Sequence, residues 1–197
     1  MIITIGREHG SGGHEIARAL AEVLGYACYD KEIVDHAAEA SHFSREVMDS
    51  FDEKRVSPYV VPVPIFVGMG ESFRLNMQVA AAQFEAIRSL AEKGNAIFVG
   101  RCADYVLRNR QDLLRVFIQA GEESRTREMM KRRDLTEEQA RKLIRQVDKD
   151  RASYYRYYTD QVWGDRENYD LCINSDKVGV QGAVTIIKAY LEAMEQA

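Results

Sequence analysis

The sequence predicts an α/β protein built on a parallel sheet. Short apolar, β-branched runs alternate with amphipathic helical stretches along most of the chain. A glycine-dense loop joins the first run to the first helical stretch, and single glycines stop helices where a left-handed cap residue belongs. The 197 residues, 46% hydrophobic and 29% charged, suit one domain or a domain with an inserted lobe, and no repeat at a fixed period divides them.

Taken in order, residues 2–5 form a short apolar strand followed at once by glycines. Over residues 14–24, Ile16, Ala17, Leu20 and Leu24 are spaced one, three and four apart, which predicts an amphipathic helix ended by Gly25. Residues 27–30 are a second short strand. A long helical stretch, 73–93, is stopped by Gly94 and followed by a third strand at 96–100. Residues 113–120 and 170–174 give the fourth and fifth strands, and 180–194 a closing helix. Thr136, with Gln139 three positions later, is a capping box, so one helix ends near Arg133 and a long one begins near Glu137. Pro58, Pro62 and Pro64 cannot continue a helix, and Gly68 and Gly70 follow them. That irregular insertion, about 56–71, is apolar enough to pack on the body of the protein or to cover a site.

The 27 basic and 31 acidic side chains leave a net charge of −4, which argues against nucleic-acid coating as the activity. No apolar run approaches the roughly 20 residues that span a bilayer, and the opening MIITIGREHG has no basic leader, so the expected compartment is the cytoplasm. Cys28, Cys102 and Cys172 are too scattered for a disulfide framework or zinc spacing and read as reduced thiols.

The sharpest signal is Gly6-Arg7-Glu8-His9-Gly10-Ser11-Gly12-Gly13-His14, between strand and helix. A loop there aims backbone N–H groups and the positive end of the helix dipole at an anion. Laid on the P-loop spacing G-x-x-x-x-G-K-[ST] with Gly12 as the last glycine, Gly13 stands at the lysine, His14 at the magnesium-binding hydroxyl and Arg7 at the first glycine. Arg7 is a candidate for the missing positive charge and Ser11 for the hydroxyl that would reach magnesium. A dinucleotide-binding loop is the rival: Gly6, Gly10 and Gly12 fit G-x-x-x-G-x-G, and Asp30 lies 18 residues past Gly12, near where a ribose-binding acid belongs. No Tyr-x-x-x-Lys accompanies it, and the chain is short for such a dehydrogenase.

Downstream, Arg101 follows the third strand, where open α/β sheets bind ligands, and is a candidate phosphate fork or simply a salt-bridge partner. Arg125 and Arg132 are seven apart on one helix face, in a segment dense in cations that is either a lid over transferring phosphates or a complement to the helix dipole. Asp148, Arg151, Tyr155 and Tyr158 are spaced three, four and three and so share a face. Four tyrosines within residues 154–158 are too many for a fully buried face, which points to the edge of a cleft or an interface and leaves a homo-oligomer open.

Together, the segments Ile-Thr-Ile-Gly-Arg-Glu-His-Gly-Ser-Gly-Gly (3–13), Tyr29-Asp30-Lys31-Glu32, Val99-Gly100-Arg101-Cys102-Ala103-Asp104-Tyr105, Asp148-Lys149-Asp150-Arg151 and Trp163-Gly164-Asp165-Arg166 resemble the cytidylate kinase-like family over nearly the whole chain. The resemblance implies a three-layer P-loop NTPase-like fold with a five-stranded parallel sheet, a single domain over 1–197, and a short helical lid and acceptor-binding region at about 122–160. It implies ATP-dependent phosphoryl transfer, with Mg2+, to a small phosphorylated acceptor such as CMP or dCMP. Gly10, Ser11, Gly12, Gly13 and His14 would hold the donor's phosphates. Arg7, Arg125 and Arg132 would neutralise the moving phosphoryl group, while Asp30, Arg101, Asp148, Arg151 and Tyr155 would hold the acceptor. The lysine-less loop also motivates a nucleotide-binding regulator that has lost catalysis.

Overall fold

A computed structural model describes residues 1–54 and 69–196. All but the end of the expected irregular insertion, with Pro58, Pro62 and Pro64, lies outside those residues.

Five parallel strands, β1 (Ile2–Arg7), β2 (Ala27–Tyr29), β3 (Ala96–Val99), β4 (Leu113–Gln119) and β5 (Leu171–Asn174), form one sheet in the order β2-β3-β1-β4-β5. β1 is central, with Ile3 opposite both Ile97 and Leu114. Alternation divides its side chains between two cores. Ile3 and Ile5 pack with α1 (Gly13–Leu24) and α8 (Ser175–Glu195), whereas Ile2 packs with α2 (Lys31–Ala40) and α4 (Met69–Ala91). Helices cover both faces, which is why these strands read as continuous apolar runs instead of an apolar–polar alternation. A dinucleotide fold orders its strands 3-2-1-4-5; the order here excludes the dehydrogenase reading.

The periodicity of residues 14–24 is realised in α1, whose Ile16, Ala17 and Leu20 are fully buried and whose cap, Gly25, has φ 67°. The capping box at Thr136 and Gln139 likewise opens a helix, α7 (Glu137–Thr159), which packs against α6 (Glu122–Arg133) through Met129, Ala140 and Ile144. Some boundaries move. Tyr29 ends β2 one residue early, because Asp30 becomes the N-cap of α2. α4 begins at Met69, four residues before the expected start, and takes up the end of the expected insertion. α8 breaks at Gly179, which is not helical (φ 65°, ψ −175°), so the closing helix expected from residue 180 starts there and a short helical turn from Ser175 precedes it.

Three helices have no counterpart among the sequence expectations: α2, which buries Ile33, Val34 and Ala37, α3 (Arg45–Phe51) and α5 (Ala103–Val106). In α3 only Met48 is buried. Its importance lies past its end, where Asp52 and Glu53 turn back under the carboxyl edge of the sheet. At that edge, between β3 and β4, the strand order reverses around β1, which is where open α/β sheets place ligands.

Candidate functional site

The loop leaves β1 at Arg7 and enters α1 through Gly12, with Gly10 at φ 82° and Gly12 at φ 79°. These are left-handed values that suit glycine. No side chain caps α1, so its first amides remain available to an anion. Behind the loop, three contacts fix its backbone to β4: Glu8 donates its N–H to the Ile118 carbonyl (3.0 Å), its carboxylate accepts from the Ala120 N–H (2.9 Å), and Ser11 points its hydroxyl at the Glu8 and Ile118 carbonyls (2.9 and 3.1 Å). Ser11 is thereby a buried pin of the loop, and the expected magnesium-binding hydroxyl is turned into the fold.

Arg7 occupies the room that a P-loop lysine would need. A Cβ built on Gly13 would lie 2.5 Å from Arg7 Cβ and 2.9 Å from its Cγ. Residues 7 and 13 therefore cannot both carry side chains in this backbone. The cation stands on the strand, and the helix has the glycine.

The remaining predicted residues fall into two groups. Arg125 and Asp148 serve the loop from beneath. Arg125 donates to the carbonyls of Ala120 (3.0 Å) and His9 (3.3 Å) and pairs with Asp148 at 2.5 Å, while Asp148 accepts the His9 N–H at 2.7 Å. Neither is placed as expected, as a catalytic arginine or an acceptor ligand. Arg125, which is buried, and Asp148 clamp the N–H and the carbonyl of His9 between them.

Arg101 is also engaged, and only 3% exposed. It forks onto Asp52 (3.0 and 2.6 Å) and donates to Asp30 and to the Val99 carbonyl (2.9 Å). Burial opposes its charge, but Asp52, Glu53 and Asp30 hold its pKa well above the ordinary value. The salt-bridge reading of Arg101 is the one this structure shows. Tyr155 is buried too, donating to Asp104 at 2.6 Å. Burial pushes the Asp104 carboxyl up, and the Tyr155 hydroxyl stays protonated. Tyr155 lines a small cleft with Arg101, Glu53 and Arg151. The tyrosine cluster packs α7 onto the body: Tyr154 donates to the buried Gln83 (3.0 Å), and Tyr158 meets Phe84 edge-on.

A cleft of about 430 Å³ opens in front of the loop, lined by the cations Arg7, Lys31, Arg132, Arg133 and Arg151 and the carboxylates Glu8, Glu15 and Asp30. His14 bonds Asp30 there through Nδ1 (2.7 Å). Despite its burial, Asp30 is held below the usual carboxylate range, chiefly by Arg101. His9 also lines the cleft. Burial, then the surrounding arginines, lower its pKa to about 4, so its ring is neutral at pH 7, and its buried Nε2 has no partner among the described residues. A second cleft, of about 420 Å³, lies on the other side of the loop, against Arg127, Lys131 and the start of α8 at Ser175 and Asp176. Gly10, Gly12 and Glu15 line both.

Sequence reasoning missed Asp52 and Glu53, which carry no motif and follow a short polar helix. Arg133 belongs to the cation-dense segment that reads from the sequence as either a lid or a complement to the helix dipole, and it faces the first cleft.

The sequence profile of the cytidylate kinase-like family matches residues 2–177. The chain belongs to that family. It is 26% identical over 197 residues to a cytidylate kinase of Methanothrix thermoacetophila, covering 99% of this chain and 100% of the relative. It is 24% identical to one of Pyrococcus horikoshii, covering 99% and 90%. Among solved structures, an uncharacterized protein from Eubacterium ventriosum superposes with a TM-score of 0.75 at 30% identity over 98% of each chain. A shikimate kinase from Bacteroides thetaiotaomicron gives 0.57 at 15% identity over 98% of each, a likeness of fold alone. The fold is that of P-loop kinases, and no described helix is long and apolar enough to cross a membrane.

Proposed function

We propose that this protein transfers a phosphoryl group from ATP to a small phosphorylated acceptor, a nucleoside monophosphate such as CMP or dCMP. The observation that carries the reading is the pair of clefts meeting at one glycine loop, whose Gly10 and Gly12 line both. A phosphoryl group has to pass between two bound nucleotides, and this loop lies between two spaces of suitable size. Membership of the family and the cytidylate kinases among its relatives support the choice of acceptor.

The uncapped first turn of α1, at Gly12, Gly13 and His14, would hold the donor's phosphates, with the His9 Nε2 a further partner for an oxygen there. Arg7 would supply the charge a lysine supplies elsewhere. Burial decides which other arginine is available. Arg132 pairs with Glu15 at 2.6 Å, but both side chains are well exposed (46% and 35%). Breaking such a pair costs about 0–1 kcal/mol, so Arg132 can turn to a transferring phosphoryl group. Arg101 and Arg125 also donate to backbone carbonyls, and removing a partner from such a buried pair costs about 3–5 kcal/mol, so these two remain positioning residues. Asp30, held by Arg101 and His14, would face the acceptor. An acceptor phosphate is ionised at neutral pH and needs no general base.

Bound magnesium supplies charge neutralisation on the donor's oxygens. No cluster of three His, Cys, Asp or Glu among the described residues is placed to hold it, so its ligands would come chiefly from the nucleotide.

A coupled ADP-release assay with CMP, dCMP, UMP and other monophosphates, run beside calorimetric ATP titration, tests the reading; turnover with at least one pyrimidine monophosphate is expected. ATP binding without turnover on any acceptor would favour the second reading, a nucleotide-binding regulator. One observation supports that alternative: Arg7, Arg101, Arg125 and Arg151 all carry carboxylate partners in this state.

A further inference from the structure

Glu53 is placed like a ligand. Its Oε1 accepts from Arg7 Nη1 at 2.6 Å and from the Arg101 backbone N–H at 3.0 Å, and its Oε2 accepts from Arg151 Nε at 3.1 Å. Donors from the end of β1, the turn after β3 and the middle of α7 thus converge on one carboxylate. Burial disfavours its charge, but Arg7, Arg151 and Arg101 hold the Glu53 carboxyl well below the usual range.

The backbone around it is shaped for this contact. Gly100, Arg101 and Cys102 have φ of 77°, 51° and 55°, three successive residues in the left-handed region, two of them not glycine. Such strain persists where the surroundings over-determine it, commonly at functional sites. Here it aims the Arg101 N–H at the carboxylate. Gly100 is required as well, because a Cβ there would collide with both Arg7 Nη1 and Glu53 Oε1.

Arg101 is held by Asp52 and Asp30, and Arg125 by Asp148. Arg7 and Arg151 have Glu53 as their shared carboxylate. Arg7, Arg101 and Arg151 with Asp30, Asp52 and Glu53 make a neutral cluster, so the donor set marks the position: two guanidinium groups and a backbone amide around one carboxylate also suit the oxygens of a phosphate.

We propose that Glu53 is a displaceable resident anion: it holds the acceptor-phosphate subsite closed in the empty protein, and a substrate's phosphate dianion takes its place on Arg7, Arg151 and the Arg101 amide. This rests on the phosphotransfer reading for the identity of the ligand, but not for the exchange itself. Arg7 and Arg151 also line the main cleft, so an arriving phosphate has a path to them. With the phosphate on Arg7, which ends β1 beside the donor loop, that cation would touch the acceptor at the edge of the donor site, which couples acceptor binding to readiness for transfer.

The test uses inorganic phosphate and CMP as probes on the full chain. Glu53→Gln should lower the melting temperature of the empty protein and strengthen phosphate binding about tenfold, with phosphate restoring much of the lost melting temperature. Phosphate affinity equal to or weaker than that of the wild type, in a folded variant, would overturn the proposal. Should Glu53→Gln not fold, hydrogen exchange on the wild-type protein decides instead. Phosphate should speed exchange at residues 51–54 while the Arg101 amide stays protected; unchanged or slower exchange at 51–54 would overturn the proposal. The two readings fail separately. Exchange without turnover of any monophosphate removes the kinase reading alone, and turnover without exchange removes the resident anion alone.

Discussion

Restoring the lysine that P-loops usually carry should damage this protein. Carbon atoms in contact settle about 3.5–4.0 Å apart, whereas a Cβ at position 13 would lie 2.5 Å from Arg7 Cβ and 2.9 Å from Cγ. The end of β1 and the start of α1 must then part by about 1 Å. Overpacking of this kind costs about 1–3 kcal/mol, offset by no more than ~1 kcal/mol of helix propensity. Gly13→Ala should therefore lose up to about 2 kcal/mol, a fall of up to roughly 8 °C at ~2–4 °C per kcal/mol for a chain of this size. Gly13→Lys adds a third cation beside Arg7 and Arg151 and should bind ATP more weakly than the wild type, although it completes the motif at that position. Arg7→Gly combined with Gly13→Lys removes the colliding Cβ and recreates G-x-x-x-x-G-K over residues 7–13. This double variant takes the Arg7 partner from Glu53 and should melt no higher than Gly13→Lys, yet recover ATP affinity to within about tenfold of the wild type. Thermal melts and calorimetric ATP titration of the four proteins read this directly. A Gly13→Lys protein that melts no lower than the wild type and binds ATP more tightly, with Arg7 intact, would refute the argument.

Arg101→Ala should destabilise the protein by about 3–5 kcal/mol, because Asp52 and Asp30 lose their buried partner; a urea midpoint within error of the wild type would show that the pairs carry no such weight. His9 has a folded pKa of about 4 against an unfolded value of 6.5. The unfolded chain therefore takes up the extra proton between these values, and stability falls as pH drops from about 6.5 to about 4. Allowing for solvent screening of a partly exposed ring, the loss is on the order of 1–2 kcal/mol. His9→Gln should flatten that part of the wild-type stability profile, and parallel profiles for the two proteins would contradict the depressed value.

Much of the frame was legible because it depends on local chemistry. Residues 2–5 and 96–99 are apolar enough to be buried on both faces, Gly25 and the Thr136–Gln139 box mark helix ends, and Gly10 and Gly12 fall where the loop needs left-handed residues. The shared face of Asp148, Arg151 and Tyr155 was also correctly read from helical spacing, and all three do turn toward the body. Their partners were not legible. Asp148 grips a peptide in the loop 139 positions away, and Arg151 meets a carboxylate 98 positions away. Asp52 and Glu53, at the end of a helix with one buried residue, gave no signal.

By itself, then, the amino-acid order determined a doubly covered parallel sheet and an anion-ready loop at its edge, since strand burial, helix capping and glycine φ are settled within a few residues. Which arginines are free was decided only by the tertiary structure. A guanidinium has the same charge everywhere along a sequence, but its use depends on burial and on the carboxylates that other segments bring to it. That is why Arg101 and Arg125 are held inside the fold, Arg132 is left at the cleft, and Arg7 stands in the space a lysine would have filled.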